Sequence, residues 1–245
     1  MKNQLQQDIV QKLRQRILAM QGIGKTNNGH CNMGLGLIEA AFPDGVFPTG
    51  AVHEFVSMEP EAAAATSGFL SCLLTNLMRK KGFCLWISSR RLIFPPALKL
   101  FGVDPEQVIF IDLKTDKDVL WAVEEALRCS ALIAVVGEVK ELSFANSQRL
   151  QLAIEQSKVT GFIHRIYSRT ENNTTCAVRW KISPISGITE TDMPGVGFPK
   201  WNVELTKVRS GRTGIWELGW TPSGFQHFSK PSSDTDIQSE KSQYA

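Results

Sequence analysis

A short segment near the amino terminus has the residue types of a phosphate-binding loop. The stretch 19–26 reads AMQGIGKT: a small residue, four further residues and then Gly-Lys-Thr. In a working loop, a strand leads into the turn and a helix follows, so that backbone N–H groups and the helix dipole face the phosphates. Here a helical pattern precedes the motif, and the Asn- and Gly-rich stretch 27–34 follows it. The context predicts a solvated linker.

The turn after the first predicted strand is where an α/β protein would position a phosphate loop. The strand AVHEFVS (51–57) is followed by MEPEAAAATSGF, which has no lysine and no glycine before Gly68. Two carboxylates stand where phosphate oxygens would lie, and like charges repel. We therefore expect no bound nucleotide or other cofactor. The residues of this degenerate phosphate loop are Met58, Glu59, Glu61, Ala64 and Ala65.

Other reactive side chains form no recognisable catalytic or metal site. His53 and His164 stand in apolar strand patterns, which favours buried structural histidines. Glu124 and Glu125 are neighbours on a helix and do not face each other, so we expect them on a solvated face, with Trp121 on the apolar side. Five cysteines form no CxxC pair, which is typical of a reducing cytoplasm. We expect no catalytic residue and no metal.

An alternation of strands and helices must position these residues. Short apolar runs such as FCLWIS, VIFIDL and ALIAVVGEV predict buried strands, and helical patterns separate them. This alternation predicts an α/β fold with a mostly parallel central sheet. After Tyr167 the helical patterns stop, and TTCAVRWKI, KWNVELTKV and GIWELGW predict antiparallel strands that extend the sheet. Period-two alternation places Trp201, Val203 and Leu205 on the core face.

Both ends of the chain differ from this central pattern. Apolar residues four positions apart predict an amphipathic helix over residues 1–21. Residues 22–31 are predicted as a linker, 32–228 as the core domain, and the polar, serine-rich 229–245 as a disordered tail. An apolar stripe on a detached helix needs a partner in cis or in trans. The residues of this candidate partner-binding stripe are Leu5, Ile9, Leu13 and Ile17.

Composition and charge exclude several classes of protein. The chain has 245 residues, 42% of them hydrophobic, and a net charge of +3. These values are ordinary for a globular protein and give no overall field for nucleic acid. The first residues contain no apolar signal segment, and no apolar run is long enough to span a bilayer. We expect a cytoplasmic protein with no membrane contact.

The order of these elements resembles the RecA-type ATPase core, and several stretches are more closely similar to the ImuA family, the RecA-like accessory proteins of bacterial error-prone translesion synthesis. The resemblance covers roughly residues 32–222. It implies a RecA-like three-layer core and a separate amino-terminal helix in a bacterial protein. The stretches that carry it are NMGLGLIEAAFPDGVFPTGAVHEF, the run from LWISSRRLIF to ALIAVVGEV, SQRLQLAIEQSKVTGFIHR, and RWKISP with the later KWNVELTKVRSGRTGIWEL.

Compared with working RecA-type ATPases, the sequence departs at each position that hydrolysis needs. The phosphate loop is degenerate. Where the resemblance implies a catalytic carboxylate, residues 88–91 read SSRR. Where it implies a magnesium-binding aspartate, Gly137 stands, followed by Glu138. The resemblance therefore implies a RecA-like scaffold that has lost its ATPase.

The resemblance also implies where DNA or a protein partner would bind. Mobile loops of RecA-type proteins contact DNA, and RIYSRTENNTT lies at the matching position. Cations and an aromatic ring there could track phosphates and stack on bases. A second basic cluster lies in the turn of the terminal hairpin, and an ordinary solvated surface is the alternative at both places. The candidate residues are Arg165, Tyr167, Arg169, Lys207, Arg209 and Arg212.

Three functions follow. The first is a non-hydrolysing adaptor of the SOS response and translesion synthesis that binds a Y-family polymerase-like subunit of the ImuB type, RecA or both, with DNA contact and self-association as further expectations. The second is a cell-division inhibitor, because the stretch from Leu85 to Arg165 also resembles SulA, although SulA-type chains lack the extension from RWKISP onward. The third is an active RecA-type ATPase that would use AMQGIGKT or Glu138.

Overall fold

A computed structural model describes most of the predicted core. Three segments named above lie outside the described residues: the helix with Leu5, Ile9, Leu13 and Ile17, the linker with AMQGIGKT, and the tail 229–245. The described ranges are 32–80, 82–169, 172–188 and 197–228.

One nine-stranded sheet runs through the described part of the chain, in the order β3-β2-β4-β5-β1-β6-β7-β8-β9. The strands are β1 (Val52–Ser57), β2 (Phe83–Ser88), β3 (Val108–Asp112), β4 (Leu132–Val139), β5 (Thr160–Ile166), β6 (Val178–Ile188), β7 (Phe198–Val208), β8 (Gly214–Thr221) and β9 (Gly224–His227).

The sheet has a parallel half and an antiparallel half. The pairs from β3 to β6 are all parallel, with β1 between β5 and β6. The pairs β6–β7, β7–β8 and β8–β9 are antiparallel. The predicted α/β fold, with a mostly parallel sheet and an antiparallel carboxy-terminal extension, is confirmed. The sequence did not predict β9, which is only four residues long.

Three α-helices connect the parallel strands: α1 (Pro60–Leu77), α2 (Asp116–Leu127) and α3 (Phe144–Ser157). Pro60 occupies the first turn of α1, as predicted, where its missing N–H costs no hydrogen bond. The Thr115 hydroxyl accepts a hydrogen bond from the backbone N–H of Asp118 and caps α2. Ser143 caps α3 in the same way through the N–H of Asn146.

The helices pack on opposite faces of the sheet and give three layers. On one face, α1 contributes Phe69 and Leu73 to a core that also contains Trp86, Phe162 and Trp180. On the other face, α2 and α3 cover a second core; its members include Val52, Val119, Val123, Val135, Leu150 and Ile163. The sheet residues alternate between the two cores because successive strand side chains point to opposite faces.

Aromatic rings fill the core beneath α1. Trp180 stacks on Phe55 with ring centroids 5.5 Å apart. His53 stacks on Phe47 at 4.6 Å, and burial lowers its pKa from 6.5 to about 4. Its Nε2 contacts the carbonyl oxygen of Pro48 at 2.7 Å, and its Nδ1 accepts from the indole N–H of Trp180. The prediction of a satisfied core histidine is confirmed.

Two predictions about α2 are wrong. Trp121, expected in the core, is 62% exposed, because Val119, Val123 and Leu127 form the buried face of the helix. Glu124, expected in solvent, is buried and accepts from Arg128 and from Arg149 of α3, each at 2.6 Å. The helix is therefore rotated so that a carboxylate, and not the indole, faces α3.

Gly137 allows α2 to approach β4 closely, so a larger side chain at this position should destabilise the fold. A Cβ atom at this position would lie 2.5 Å from Cγ2 of Val123. We expect Gly137→Ala to lower the free energy of unfolding by about 1–3 kcal/mol through overpacking, measured by chemical denaturation. Gly161→Ala is the matched control, since its Cβ would meet Leu127 at a milder 3.1 Å and should cost less. Equal stability of the two variants would contradict the close approach.

Candidate functional site

The turn between β1 and α1 lies at the edge of the sheet where the parallel strands end. Such edges bind ligands in open α/β folds. Glu59 is the residue before α1 and Glu61 lies in its first turn, and both are exposed. Their carboxylates complement the positive end of the helix dipole, which a phosphate would otherwise do. The turn therefore opposes binding of a polyanion.

An apolar groove occupies the surface beside this turn. It has a volume of about 360 Å³ and lies between α1 and the segment 92–101. Ala64 is exposed in the groove, whereas Ala65 is buried in the core beneath it. Met58 is 47% exposed next to the turn. The sequence did not predict this groove; the apolar run LIFPPALKLF was the signal, because its first residues stand outside any strand or helix pattern.

The segment after β2 provides no carboxylate for hydrolysis. Ser88 is buried at the end of the strand, and the Ser89 hydroxyl donates to Asp116 at 3.2 Å. Arg91 forms an exposed bidentate pair with Asp112, with N···O distances of 2.6 and 3.1 Å. Asp116 also accepts from the backbone N–H of Lys140 at 2.7 Å. These carboxylates connect loops at the ends of β2, β3 and β4, and none stands in the SSRR segment itself.

Glu138 on β4 is buried and bonded to protein. The indole N–H of Trp86 donates to its carboxylate at 2.9 Å. Burial raises its pKa from 4.5 to about 7, and the Trp86 hydrogen bond opposes that rise. A carboxyl that keeps its proton up to neutral pH is a poor ligand for Mg²⁺, which binds deprotonated oxygens.

A small polar pocket adjoins Glu138. Its volume is about 40 Å³, much smaller than that of the apolar groove. Its lining includes Ser89, Arg90, Asp116, Lys140 and Tyr167. Among the described residues, no group of three or more His, Cys, Asp and Glu side chains could hold a metal ion. No helix in the same ranges has the length and hydropathy to cross a membrane.

Arg165 was predicted to contact DNA or a partner, and the structure contradicts this prediction. Its side chain has no exposed area and lies on β5, beneath α3. Its guanidinium donates to Glu54 at 2.8 Å, to Glu141 at 2.7 Å and to Ser168 at 2.7 Å. Because successive strand side chains point to opposite faces, Arg165 lies on the face that α2 and α3 cover, and His164 lies on the other face. It is therefore a structural residue.

Glu54 is the centre of a buried ion cluster that the sequence did not predict. Arg165 approaches one carboxylate oxygen, and Arg179 and the Thr174 hydroxyl approach the other, at 2.8 and 2.6 Å. The three charged residues lie on the adjacent strands β5, β1 and β6, facing α3. The signal in the sequence was a glutamate inside the apolar strand AVHEFVS, because a buried charge must have a partner.

The remaining residues of the first predicted loop stay candidates. Tyr167 follows β5 with a backbone φ of 58°, is 43% exposed and lines the apolar groove. Arg169 is exposed, and residues 170–171 lie outside the described part of the chain. The structure thus brings Tyr167 to the candidate site and leaves Arg169 on the surface beside it in sequence.

Two of the three hairpin cations are bonded to the protein. Lys207 donates its ammonium to the carbonyl oxygen of Thr174, and burial lowers its pKa. Arg209 donates to the carbonyl oxygen of Thr175. Arg212 is exposed in the turn after β7. With Arg179, which donates to the carbonyl of Asn172 at 2.6 Å, Lys207 and Arg209 clamp the segment 172–175 that precedes β6.

The buried cluster predicts a large cost for its disruption. Arg165→Met leaves Glu54 with one arginine and an incomplete set of donors, and removal of one partner from a buried ion pair costs about 3–5 kcal/mol. We expect that loss in the free energy of unfolding. Arg169→Met is the matched exposed control and should change stability by less than about 0.5 kcal/mol. If the two variants unfold alike, Arg165 does not hold the cluster together.

Glu138 predicts a pH dependence of stability. The folded state holds its proton up to about pH 7, whereas the ordinary pKa is 4.5. The contribution of the protonated Glu138 side chain to stability is therefore complete below pH 4.5 and is lost as the pH rises through 7. Glu138→Gln keeps an acceptor for Trp86 without the charge. Relative to that of the original chain, the free energy of unfolding of this variant should rise by about 3 kcal/mol between pH 4.5 and pH 8, as measured by chemical denaturation. The exposed Glu59→Gln should give no such gain; a gain of the same size there would refute the assignment.

No protein-family model matches the chain. Two proteins named Protein ImuA, from two strains of Caulobacter vibrioides, are each 31% identical to it over 193 residues. The match covers 74% of this chain and 79% of each relative. At this identity and coverage, the chain belongs to the ImuA family.

Proposed function

We propose that this protein is a non-hydrolysing, RecA-like adaptor of the DNA damage response that promotes error-prone translesion synthesis. Membership of the ImuA family gives the biological setting. The observation that supports a non-enzymatic role is the edge of the sheet where a RecA-type ATPase would hold its nucleotide. There Glu59 and Glu61 stand beside an apolar groove of about 360 Å³.

The physical chemistry of this edge suits a polypeptide better than a nucleotide. Leu92 and Phe94 border the groove and are 56% and 67% exposed. Exposed apolar surface of this kind binds protein side chains and gains free energy when water leaves it. A triphosphate would instead meet two carboxylates and no described lysine in the lining of the groove. Binding is thus the proposed activity, with no catalytic residue and no cofactor.

The partners that we propose are a Y-family polymerase-like subunit of the ImuB type and RecA, in the bacterial cytoplasm. Arg169 and Arg212 are exposed cations that could add a contact to DNA. Lys207 and Arg209 are less suited to this, because their head groups already donate to backbone carbonyls.

A cell-division inhibitor of the SulA type is the second candidate. The stretch from Leu85 to Arg165 resembles SulA-type chains, which lack the carboxy-terminal extension. In this chain the extension is part of the structure: β6 pairs with β1, and Arg179 on β6 neutralises Glu54. This integration supports the adaptor, because the stretch that SulA-type chains lack is part of the central sheet here.

Affinity capture from the host bacterium after DNA damage, with mass spectrometry of the captured proteins, tests the proposal. We expect RecA or a polymerase-like subunit to copurify with the original chain from damaged cells. The same capture from undamaged cells should not recover these induced partners. Arg212→Glu and Lys114→Glu serve as a matched pair of exposed charge reversals, on the hairpin turn and away from both it and the groove. A selective loss with Arg212→Glu would assign the hairpin to partner binding.

Two results would contradict the adaptor. Recovery of the tubulin-like division protein in place of RecA and the polymerase subunit would support the SulA-type function. Saturable binding of Mg-ATP to the purified protein at millimolar concentration, lost in Lys25→Ala or Glu138→Gln, would instead support an ATPase.

A further inference from the structure

The apolar groove has the shape of a helix-binding site. Its floor is one face of α1, where small residues recur at helical spacing from Pro60 through Ala64 and Gly68 to Ser71. Its opposite wall includes Leu92 and Phe94. Small residues on the floor let the backbone of a second helix come close, and large apolar residues on the wall can pack around its side chains.

The length of the groove matches a segment of this same chain. From Pro60 to Ser71, α1 advances about 16 Å at 1.5 Å per residue. The apolar stripe from Leu5 to Ile17 advances about 18 Å if it is helical, as its spacing predicts. The stripe and the groove are therefore similar in length, and most of the groove lining is apolar.

The path of the chain makes this contact accessible within one molecule. The carbonyl oxygen of Met33 accepts from the Asn76 side chain at 2.8 Å, close to the carboxyl end of α1. One residue earlier, Thr75 donates to the carbonyl oxygen of Phe101 at 2.7 Å, and Phe101 lines the groove. The described chain thus begins near one end of the groove. The connecting residues 18–31 can span about 46 Å when extended, well beyond its length.

The amino-terminal segment and the end of the groove at the start of α1 carry opposite charges. Residues 1–21 contain Lys2, Lys12, Arg14 and Arg16 and a single acidic residue, Asp8. Glu59 and Glu61 lie exposed at the other end of the groove from Asn76, at the start of α1. A basic amphipathic helix therefore fits this groove, and an acidic peptide does not.

We propose that residues 1–21 of this chain bind in cis as a helix in the groove between α1 and the segment 92–101, with Leu5, Ile9, Leu13 and Ile17 against its apolar walls. The helix would cover the exposed surface of Leu92 and Phe94. The proposal does not rest on the adaptor function, since it needs only the groove and the sequence.

Hydrogen exchange in the purified full-length chain, read by mass spectrometry, tests this contact. We expect the amides of residues 5–17 to exchange at least about ten-fold more slowly than an unstructured peptide, because the docked helix must open before exchange. Ala64→Arg and Phe94→Lys place bulk and positive charge in the groove and should abolish that protection. Leu100→Lys is the matched control: Leu100 is 80% exposed in the same segment but does not line the groove, so protection should persist.

Three outcomes would overturn the proposal. The first is exchange of residues 5–17 at the unprotected rate in the original chain. The second is protection that survives both Ala64→Arg and Phe94→Lys. The third is protection that disappears on dilution together with a dimer-to-monomer change in sedimentation, which would assign the groove to a second copy. Thermal unfolding of each variant checks that the core is intact, and all substituted positions are exposed.

Discussion

Burial of Glu54 is the constraint on which the centre of the sheet depends. A carboxylate without exposed area is unfavourable unless charges and hydrogen-bond donors surround it. Arg165, Arg179 and Thr174 supply them from β5, β6 and the segment before β6. These partners lie on both sides of β1, so the cluster fixes the register of three adjacent strands. It lies where β1 joins the parallel strands to the carboxy-terminal extension, and the two halves therefore form one structure.

Three basic residues of the extension also form hydrogen bonds with acceptors inside the protein. Arg179, Lys207 and Arg209 donate to the carbonyl oxygens of residues 172, 174 and 175, which no strand or helix hydrogen bond satisfies. A cation that meets a buried carbonyl is held by a charge-assisted hydrogen bond and loses hydration. A basic cluster in the sequence is thus divided by the fold into residues that clamp a loop and exposed residues, such as Arg212, that can meet another molecule.

The ligand edge of the parallel sheet shows how a fold can keep its architecture while the chemistry of its site changes. The strand order and the helix after β1 position a turn at the usual place. In this member of the ImuA family the turn carries carboxylates, Glu138 is held by Trp86, and small residues open α1 to an apolar groove. Under the proposed function, the carboxylates and the buried Glu138 disfavour phosphate and magnesium binding, and the groove offers a surface for a polypeptide. The fold alone therefore does not establish what this edge binds.

The sequence by itself determined the types of the elements from β1 to β8, the parallel and antiparallel halves and the core face of β7, because hydrophobic periodicity is local and burial enforces it. It also determined that the turn after β1 lacks a phosphate loop. Only the tertiary structure decided that Arg165 is buried, since its partner Glu54 is 111 residues away, and that Trp121 faces solvent while Glu124 does not. The groove likewise exists only because α1 and the segment 92–101 meet in space. Contacts between distant residues depend on how elements pack, and no local pattern records that packing.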